Sequence, residues 1–115
     1  MTDLSDAIRS STVQISGKLR KGRSARFWFC PACEEMHPLP FGWVFNDDVN
    51  APTFQPSFKH CWKAVEPNPE TPAGRPARCC HYIITRGQVA YCSDCTHALA
   101  GQTIPMPDLP EGYRD

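Results

Sequence analysis

The sequence predicts a mostly β fold, small β or α+β, with short strands and hairpins and little helix. The chain has 115 residues, of which 12 are prolines and 7 are cysteines. Proline lacks an amide hydrogen and clashes with the preceding turn, so long helices are disfavoured. Short runs of β-branched and aromatic residues end at Gly, Asn, Asp or Pro, as strands do. Two Cys-x-x-Cys units far apart in the chain add a zinc-ribbon-like metal site to this prediction.

Apolar residues and turn residues place the individual elements. Residues 3–10 suit a short amphipathic helix. The predicted strands cover residues 12–20, 25–30, 42–45, 53–58, 81–85 and 88–92. Arg86-Gly87 is the clearest hairpin turn. With a two-residue turn there, Ile84 faces Val89, and His81 faces Cys92 with their Cβ atoms about 5 Å apart.

Length and proline content predict the domain organisation. A chain of 115 residues suits a single domain, residues 1–115, because domains usually span about 100–150 residues. Residues 66–78 are rich in proline and predict an exposed loop. Residues 105–115 predict a C-terminal tail. The basic residues between Lys18 and Arg26 are interpreted as a solvated hairpin tip, with a contact patch for phosphate or an acidic protein as the alternative.

Charge and hydropathy restrict the partners. Lysines plus arginines equal aspartates plus glutamates at 12 each, so the formal net charge is zero. A neutral chain has no overall field that attracts nucleic acid or an anionic membrane. The residues after Met1 lack the basic and apolar regions of a signal peptide, and no apolar run is long enough to span a bilayer. We therefore expect a cytoplasmic protein without a membrane or nucleic-acid partner.

The two Cys-x-x-Cys units, Cys30 to Cys33 and Cys92 to Cys95, predict the metal site. Two intervening residues let the backbone turn so that both sulfurs can bind one ion at about 2.3 Å. Two such units complete a tetrahedral shell of four thiolates. His81 competes for a place in that shell because the hairpin register sets it beside Cys92. Zinc is the expected metal, and iron is its rival for these donors.

Catalysis has weaker support in the sequence than binding. No P-loop, dinucleotide-binding pattern, nucleophile elbow or His-Glu-x-x-His pattern is present. Asp94, Cys95 and His97 are too close in the chain to stand readily in the order of a catalytic triad. His97 and His37 are expected to support the metal site or an active site, as is Asp94. We predict a protein-interaction module without catalytic residues, and as the alternative a small metal-dependent hydrolase that uses Asp94 and His97.

Three stretches of the chain resemble one known family. They are CPAC at residues 30–33, PTFQPS at residues 52–57 and CCHYIITRGQVAYCSDCTHALAGQT at residues 79–103. Together they resemble small, mostly uncharacterised zinc-binding proteins of phages and prophages that are often labelled "ammonia monooxygenase", a name that no residue here supports.

The resemblance implies a metal-binding domain encoded by a bacterial virus. Elements of the family pattern correspond to His81, Asp94, Cys95 and His97, whereas the position of Cys92 can be apolar. This raises His81 and Cys95 as ligands and leaves the four-thiolate shell open. The family carries no established activity. The resemblance suggests a host or phage protein as the partner, for a counter-defence inhibitor or a virion or assembly component in the host cytoplasm.

Overall fold

A computed structural model describes residues 4–115 of the chain, which form two antiparallel β-sheets, one α-helix and a short 3-10 helix at Glu111–Tyr113. The helix α1 covers Leu4–Ser11. The nine strands are β1 Val13–Gln14, β2 Arg20–Lys21, β3 Ala25–Cys30, β4 Glu35–Pro40, β5 Val44–Phe45, β6 Phe54–Trp62, β7 Arg78–Thr85, β8 Gln88–Tyr91 and β9 Thr103–Pro105. The predicted mostly β class with little helix is confirmed. The part of the predicted helix at Asp3 lies outside the described residues.

The first sheet has the strand order β1-β2-β3-β4 and ends in the first Cys-x-x-Cys unit. Strands β3 and β4 pair from Ala25 opposite Pro40 to Cys30 opposite Glu35. The turn between them is closed by the Glu34 amide, which donates to the Cys30 carbonyl at 2.8 Å. This turn brings the side chain of Cys33 back towards Cys30.

The second sheet has the strand order β5-β6-β7-β8-β9, and the predicted hairpin register is confirmed within it. Ile84 pairs with Val89, and Tyr82 pairs with Tyr91. Arg86 and Gly87 have φ angles of 49° and 77°, as a two-residue turn of the type I′ class requires. A Cβ atom on Gly87 would lie 3.2 Å from the Cα atom of Ala51, so the segment before β6 packs closely over this turn.

Strands β6 and β7 form the longest pairing of the second sheet. The register shifts between Phe54 and Phe58 and is then regular as far as Trp62 opposite Arg78. Cys61 and Cys79 are opposite one another on these strands and form a disulfide bond. The two strands therefore hold a fixed register next to Cys80.

A buried polar contact joins the two sheets. The indole N–H of Trp28, on β3, donates to the Tyr82 hydroxyl on β7 at 2.8 Å. The His37 Nδ1 atom, on β4, lies 2.9 Å from the same hydroxyl. All three side chains are buried, and burial raises the pKa of Tyr82 and lowers the pKa of His37. A buried polar group needs partners, so this contact aligns the sheets as well as filling the core.

The C-terminal segment packs against the body of the protein. Within residues 105–115, Met106 and Leu109 are buried side chains of the core. Arg20 is fully buried as well, and its guanidinium forms an ion pair with Asp115 at 2.8 Å. The interpretation of residues 18–26 as a solvated tip is therefore wrong for Arg20.

A further segment connects β6 and β7. Residues 66–77 are mostly exposed, and a bridge between Val65 and Arg75 closes them into a loop.

None of the helices in the described part of the chain is long and apolar enough to cross a membrane.

Candidate functional site

A row of polar side chains, the outer row, lies on the outer face of β6 and β7. Lys59 of β6 is opposite His81 of β7, and opposed residues of an antiparallel pair share a face. Ser57 is two residues before Lys59 and reaches the same face, since its hydroxyl lies beside the His81 imidazole. Ser57 is exposed, and the side chain of His81 is 24% exposed. The inner neighbours Cys80 and Tyr82 point into the core.

Ser57, His81 and Asp94 form a continuous hydrogen-bonded chain. The His81 Nδ1 atom lies 3.0 Å and 3.2 Å from the two carboxylate oxygens of Asp94. A carboxylate only accepts, so Nδ1 carries the proton and Nε2 is left as an acceptor. The Ser57 hydroxyl lies 3.3 Å from Nε2. This is the order of groups in a Ser-His-Asp triad, which is recognised by geometry rather than by position in the sequence.

Cys95 positions the loop that carries Asp94. Its sulfur accepts a hydrogen bond from the His81 amide at 3.2 Å and donates to the His81 carbonyl at 3.1 Å. The Cys92 amide also donates to that carbonyl, at 2.9 Å. These three contacts hold the loop against the backbone of His81, so the Asp94 carboxylate meets the imidazole of the same residue.

The charge of Asp94 is stabilised by two neighbours. The Lys59 ammonium lies 3.1 Å from its Oδ2 atom, and the hydrogen bonds from Lys59 and then His81 lower the pKa of Asp94. Asp94 therefore stays a carboxylate at neutral pH. A carboxylate at Nδ1 keeps the imidazole in the tautomer that accepts a proton from serine.

Replacing Lys59 with methionine should raise the pKa of Asp94, because the substitution removes the larger of the two hydrogen-bonding contributions. Asp94 would then become protonated at a higher pH than in the wild type, and it would lose its negative charge earlier as pH falls. Titration of the Asp94 carboxyl carbon by ¹³C NMR measures this shift. Lys63→Met is the matched control and should leave the pKa of Asp94 unchanged. An unchanged Asp94 titration in Lys59→Met would contradict the assigned contact.

An apolar groove of about 510 Å³ begins at Ser57. Its walls come from β5 and the two residues before it, from the first half of β6 and from β7, namely Gly42, Trp43, Val44, Phe54, Gln55, Pro56 and Ile83. Val44 and Ile83 are 62% and 46% exposed. An apolar surface beside a nucleophile can hold the side chain of a substrate.

A second cluster, the inner cluster, lies on the inner side of β7 and contains thiols and imidazoles. Cys30, His37 and Cys80 have ligand atoms within 4.8 Å of one another, and so do Cys33, Cys80 and His97. Cys80 belongs to both groups. Such groups of soft sulfur and nitrogen donors could hold a metal ion.

The thiols of the second cluster interact strongly with one another. Hydrogen bonds from Cys33 and Cys80 lower the pKa of Cys30. The same contact with Cys30 raises the pKa values of Cys33 and Cys80, with burial as a further cause. Cys30 is thus the thiolate, with Cys33 and Cys80 as thiol donors to it, and a cation in their midst would stabilise the thiolate form of all three.

The structure distributes the predicted metal ligands over two places. Cys30 and Cys33 lie in the inner cluster with Cys80. His81 and Cys92 lie in a separate group with Asp94 on the outer side. Within residues 4–115, no group of ligand atoms combines either cysteine of the first Cys-x-x-Cys unit with a residue of the second.

The residues predicted to support a site are also separated. His97 and His37 belong to the inner cluster and Asp94 to the outer row. The His37 ring is nearly parallel to the rings of Phe58 and Tyr82, at interplanar angles of 15° and 8°.

Sequence reasoning missed Ser57 and Cys80 as functional candidates. Ser57 has no motif of its own, because its partners come from β7 and from the loop after β8. Two features of the sequence pointed to Ser57. It lies in the stretch of residues 52–57 that resembles the known family, and it lies in a predicted strand with alternating faces. Cys80 could have been found from the predicted hairpin register, which places it on the face opposite to His81.

Comparison with known proteins identifies one family. Residues 1–92, that is 92 of the 115 residues, match the family model described as "Bacterial ubiquitination-like system serine protease (BubE)". The matched range includes Ser57 and His81 and ends just before Asp94. Neither the curated proteins nor the solved structures contain a match.

Proposed function

The chain belongs to the BubE family of bacterial ubiquitination-like system serine proteases, and from this premise we propose that it is a serine protease with Ser57, His81 and Asp94 as its catalytic triad. The observation that supports the proposal best is the hydrogen-bonded chain from the Ser57 hydroxyl through the His81 imidazole to the Asp94 carboxylate. A serine, a base and an orienting acid in this order are the parts that acyl transfer needs.

In the proposed reaction the Ser57 Oγ atom attacks the carbonyl carbon of the scissile bond while His81 Nε2 takes the hydroxyl proton. The carbonyl electron pair moves onto oxygen and returns as the bond to the leaving group breaks. His81 gives its proton to the leaving group, and an acyl ester of Ser57 remains. A water molecule then attacks this ester with His81 again as the base, which releases a carboxylic acid and restores the serine. Asp94 holds the imidazole and stabilises its protonated form.

The substrate in this proposal is an extended peptide segment. In the described part of the chain, β5 pairs only with Phe54 and Gln55 of β6, so β6 has an open edge from Pro56 to Trp62. An extended chain can add to such an edge through main-chain hydrogen bonds, with its side chains in neighbouring pockets. The apolar groove beside Ser57 would then accept an apolar residue next to the scissile bond.

The family description supports a protein of a ubiquitination-like system as the partner, rather than a nucleic acid. The phage origin, the host target and the binding-module role expected from the sequence stay predictions. Two contacts favour the serine mechanism over the metal-dependent hydrolase with Asp94 and His97. Asp94 contacts Lys59 and His81 on the outer face, whereas His97 contacts Cys80 on the inner side.

An active-site probe tests the proposal without knowledge of the substrate. A fluorophosphonate reacts with the activated serine of a triad, and mass spectrometry of the digested protein locates the adduct. We expect one adduct, on Ser57, and at least a 10²-fold slower reaction in His81→Ala, because the base is lost. Ser24→Ala, at an exposed serine in the turn before β3, should label like the wild type. Absence of an adduct on Ser57 would overturn the proposal.

We also propose zinc as the metal of the inner cluster. Thiolate and imidazole ligands suit zinc, which has no redox chemistry and accepts tetrahedral geometry. Elemental analysis of the purified protein distinguishes it from iron. An iron–thiolate centre would colour the protein, and zinc would leave it colourless.

A further inference from the structure

We propose that Cys30, Cys33, Cys80 and His97 form one closed, four-ligand metal shell that holds the loop carrying Asp94 against β7. The ligand set is independent of any catalytic role, whereas its importance for catalysis rests on the proposed protease. The set differs from the one that the two Cys-x-x-Cys units predicted, since it takes a single cysteine from β7 and a histidine from the loop after β8.

Cys80 is the residue that unites the two ligand groups of the inner cluster. It lies within 4.8 Å of Cys30 in one group and of Cys33 and His97 in the other. Cys30 also hydrogen bonds through its side chain to both Cys33 and Cys80. The His97 Nε2 atom is 3.4 Å from the Cys80 sulfur. Two ligands on a tetrahedral zinc ion, at about 2.3 Å for sulfur and 2.0–2.1 Å for nitrogen, lie about 3.5 Å apart.

His37 is the other imidazole near the thiols, and we choose His97 as the fourth ligand because the 3.4 Å between its Nε2 atom and the Cys80 sulfur fits two ligands of one ion. The His37 Nδ1 atom is 2.9 Å from the Tyr82 hydroxyl, and its buried Nε2 atom has no hydrogen-bond partner among the described residues, since the Glu35 oxygen is 3.6 Å away. The His97 Nε2 atom faces Cys80, and the Leu99 amide donates to Nδ1 at 3.2 Å; ligation through Nε2 places the proton on Nδ1, so this bond would be given up when the ion binds. Three cysteines and one histidine form a common structural zinc shell, without an open position for water.

The proposed shell connects three segments that the triad depends on. Cys80 directly precedes His81 on β7, and the two side chains point to opposite faces of the strand. His97 is three residues after Asp94 in the same loop. Cys30 and Cys33 anchor the other side of the ion in the turn of the first sheet. The ion would therefore tie His81 and Asp94 to a common support, although it touches neither of them.

Metal content tests the ligand set. We expect about one zinc ion per chain in the wild type, measured by inductively coupled plasma mass spectrometry after purification and zinc reconstitution. Cys80→Ser and His97→Ala should each lose at least about 10-fold in zinc affinity, and His97→Cys should retain the ion because it supplies a fourth thiolate. Cys92→Ser and His81→Ala are the matched controls and should bind zinc like the wild type. Full zinc content in His97→Ala, or loss of zinc in Cys92→Ser, would overturn the proposed shell.

Hydrogen exchange tests whether the ion positions the loop. The Thr96 amide donates to the Cys79 carbonyl at 3.1 Å, and this bond should protect it from exchange when the ion is bound. We expect chelated wild type and His97→Ala to exchange this amide at least 10-fold faster, with protection restored in His97→Cys. Equal protection with and without the ion would overturn the positioning role.

Fluorophosphonate labelling distinguishes this inference from the proposed protease. If the ion holds Asp94 in place, labelling of Ser57 in His97→Ala should slow by about 10²-fold, since a misplacement of about 1 Å costs that much. A wild type that binds zinc through the four proposed ligands and never labels at Ser57 would refute the protease alone. A wild type that labels at Ser57 and whose His97→Ala variant keeps both metal and rate would refute the shell alone.

Discussion

Ser57→Ala is expected to remove the proposed proteolysis, with kcat/KM lowered by at least about 10³-fold. The substitution deletes the nucleophilic oxygen, and none of the remaining side chains of the outer row replaces it in contact with His81 Nε2. Because Ser57 is exposed, the free energy of unfolding should change by less than about 0.5 kcal/mol. The loss would therefore be chemical rather than structural.

The measurement uses a quenched-fluorescent peptide pool, randomised except for one fixed apolar residue before the scissile position. Asp94→Asn should lower the rate by about 10⁴-fold, because the amide no longer holds the imidazole in the correct tautomer. The double variant Ser57→Ala with His81→Ala should be no slower than Ser57→Ala alone, since the two residues act as one unit. Independent, additive losses, or cleavage that survives in Ser57→Ala, would contradict the assigned triad.

Arg20→Ala is expected to lower the free energy of unfolding by about 1–3 kcal/mol, because it leaves partly buried hydrogen-bond acceptors without their donor. The Arg20 guanidinium is fully buried and pairs with Asp115 at 2.8 Å. It also donates to Thr12 Oγ1 at 2.6 Å and to the carbonyl oxygens of Thr12 and Tyr113 at 2.8 Å and 3.0 Å. It thereby joins the segment after α1, strand β2 and the C-terminal segment.

Urea unfolding measures this effect, and Arg23→Ala is the matched control. Arg23 is exposed in the turn before β3, so its truncation should change the free energy of unfolding by less than about 0.5 kcal/mol. Equal effects of the two substitutions would show that the Arg20 contacts contribute nothing to the free energy of unfolding. The pKa of Asp115 is lowered by Arg20, so the contribution of the pair is present above the ordinary Asp pKa and is lost as pH falls through the lowered value.

Local patterns were sufficient to predict most of the strands. Ala25–Cys30 was predicted to the residue, because a run of aromatic residues between turn residues leaves few alternatives. The hairpin around Arg86-Gly87 was also predicted in its register, since a two-residue turn with positive φ angles sets every later pair. The single strand predicted for residues 12–20 is divided in the structure into β1 and β2, with a turn between them.

The candidate site depended on contacts that no local pattern encodes. Cys30 and Cys33 were identified by their spacing, whereas Cys80 and His97 are brought to them by the packing of the two sheets. Ser57 approaches His81 because β6 pairs with β7 after a register shift between Phe54 and Phe58. Asp94 arrives through the contacts of Cys95 with the His81 backbone.

The sequence by itself determined the β class, the hairpin around Arg86-Gly87 and the presence of a thiol-rich cluster, because turn preference and side-chain alternation act over a few residues. Only the tertiary structure decided which face each residue occupies relative to residues distant in the chain. His81 and its neighbour Cys80 show the difference, since adjacent positions of one strand belong to two separate sites on its two faces. The physical reason is that pairing and sheet packing act between segments remote in sequence, where neither composition nor spacing records the partner.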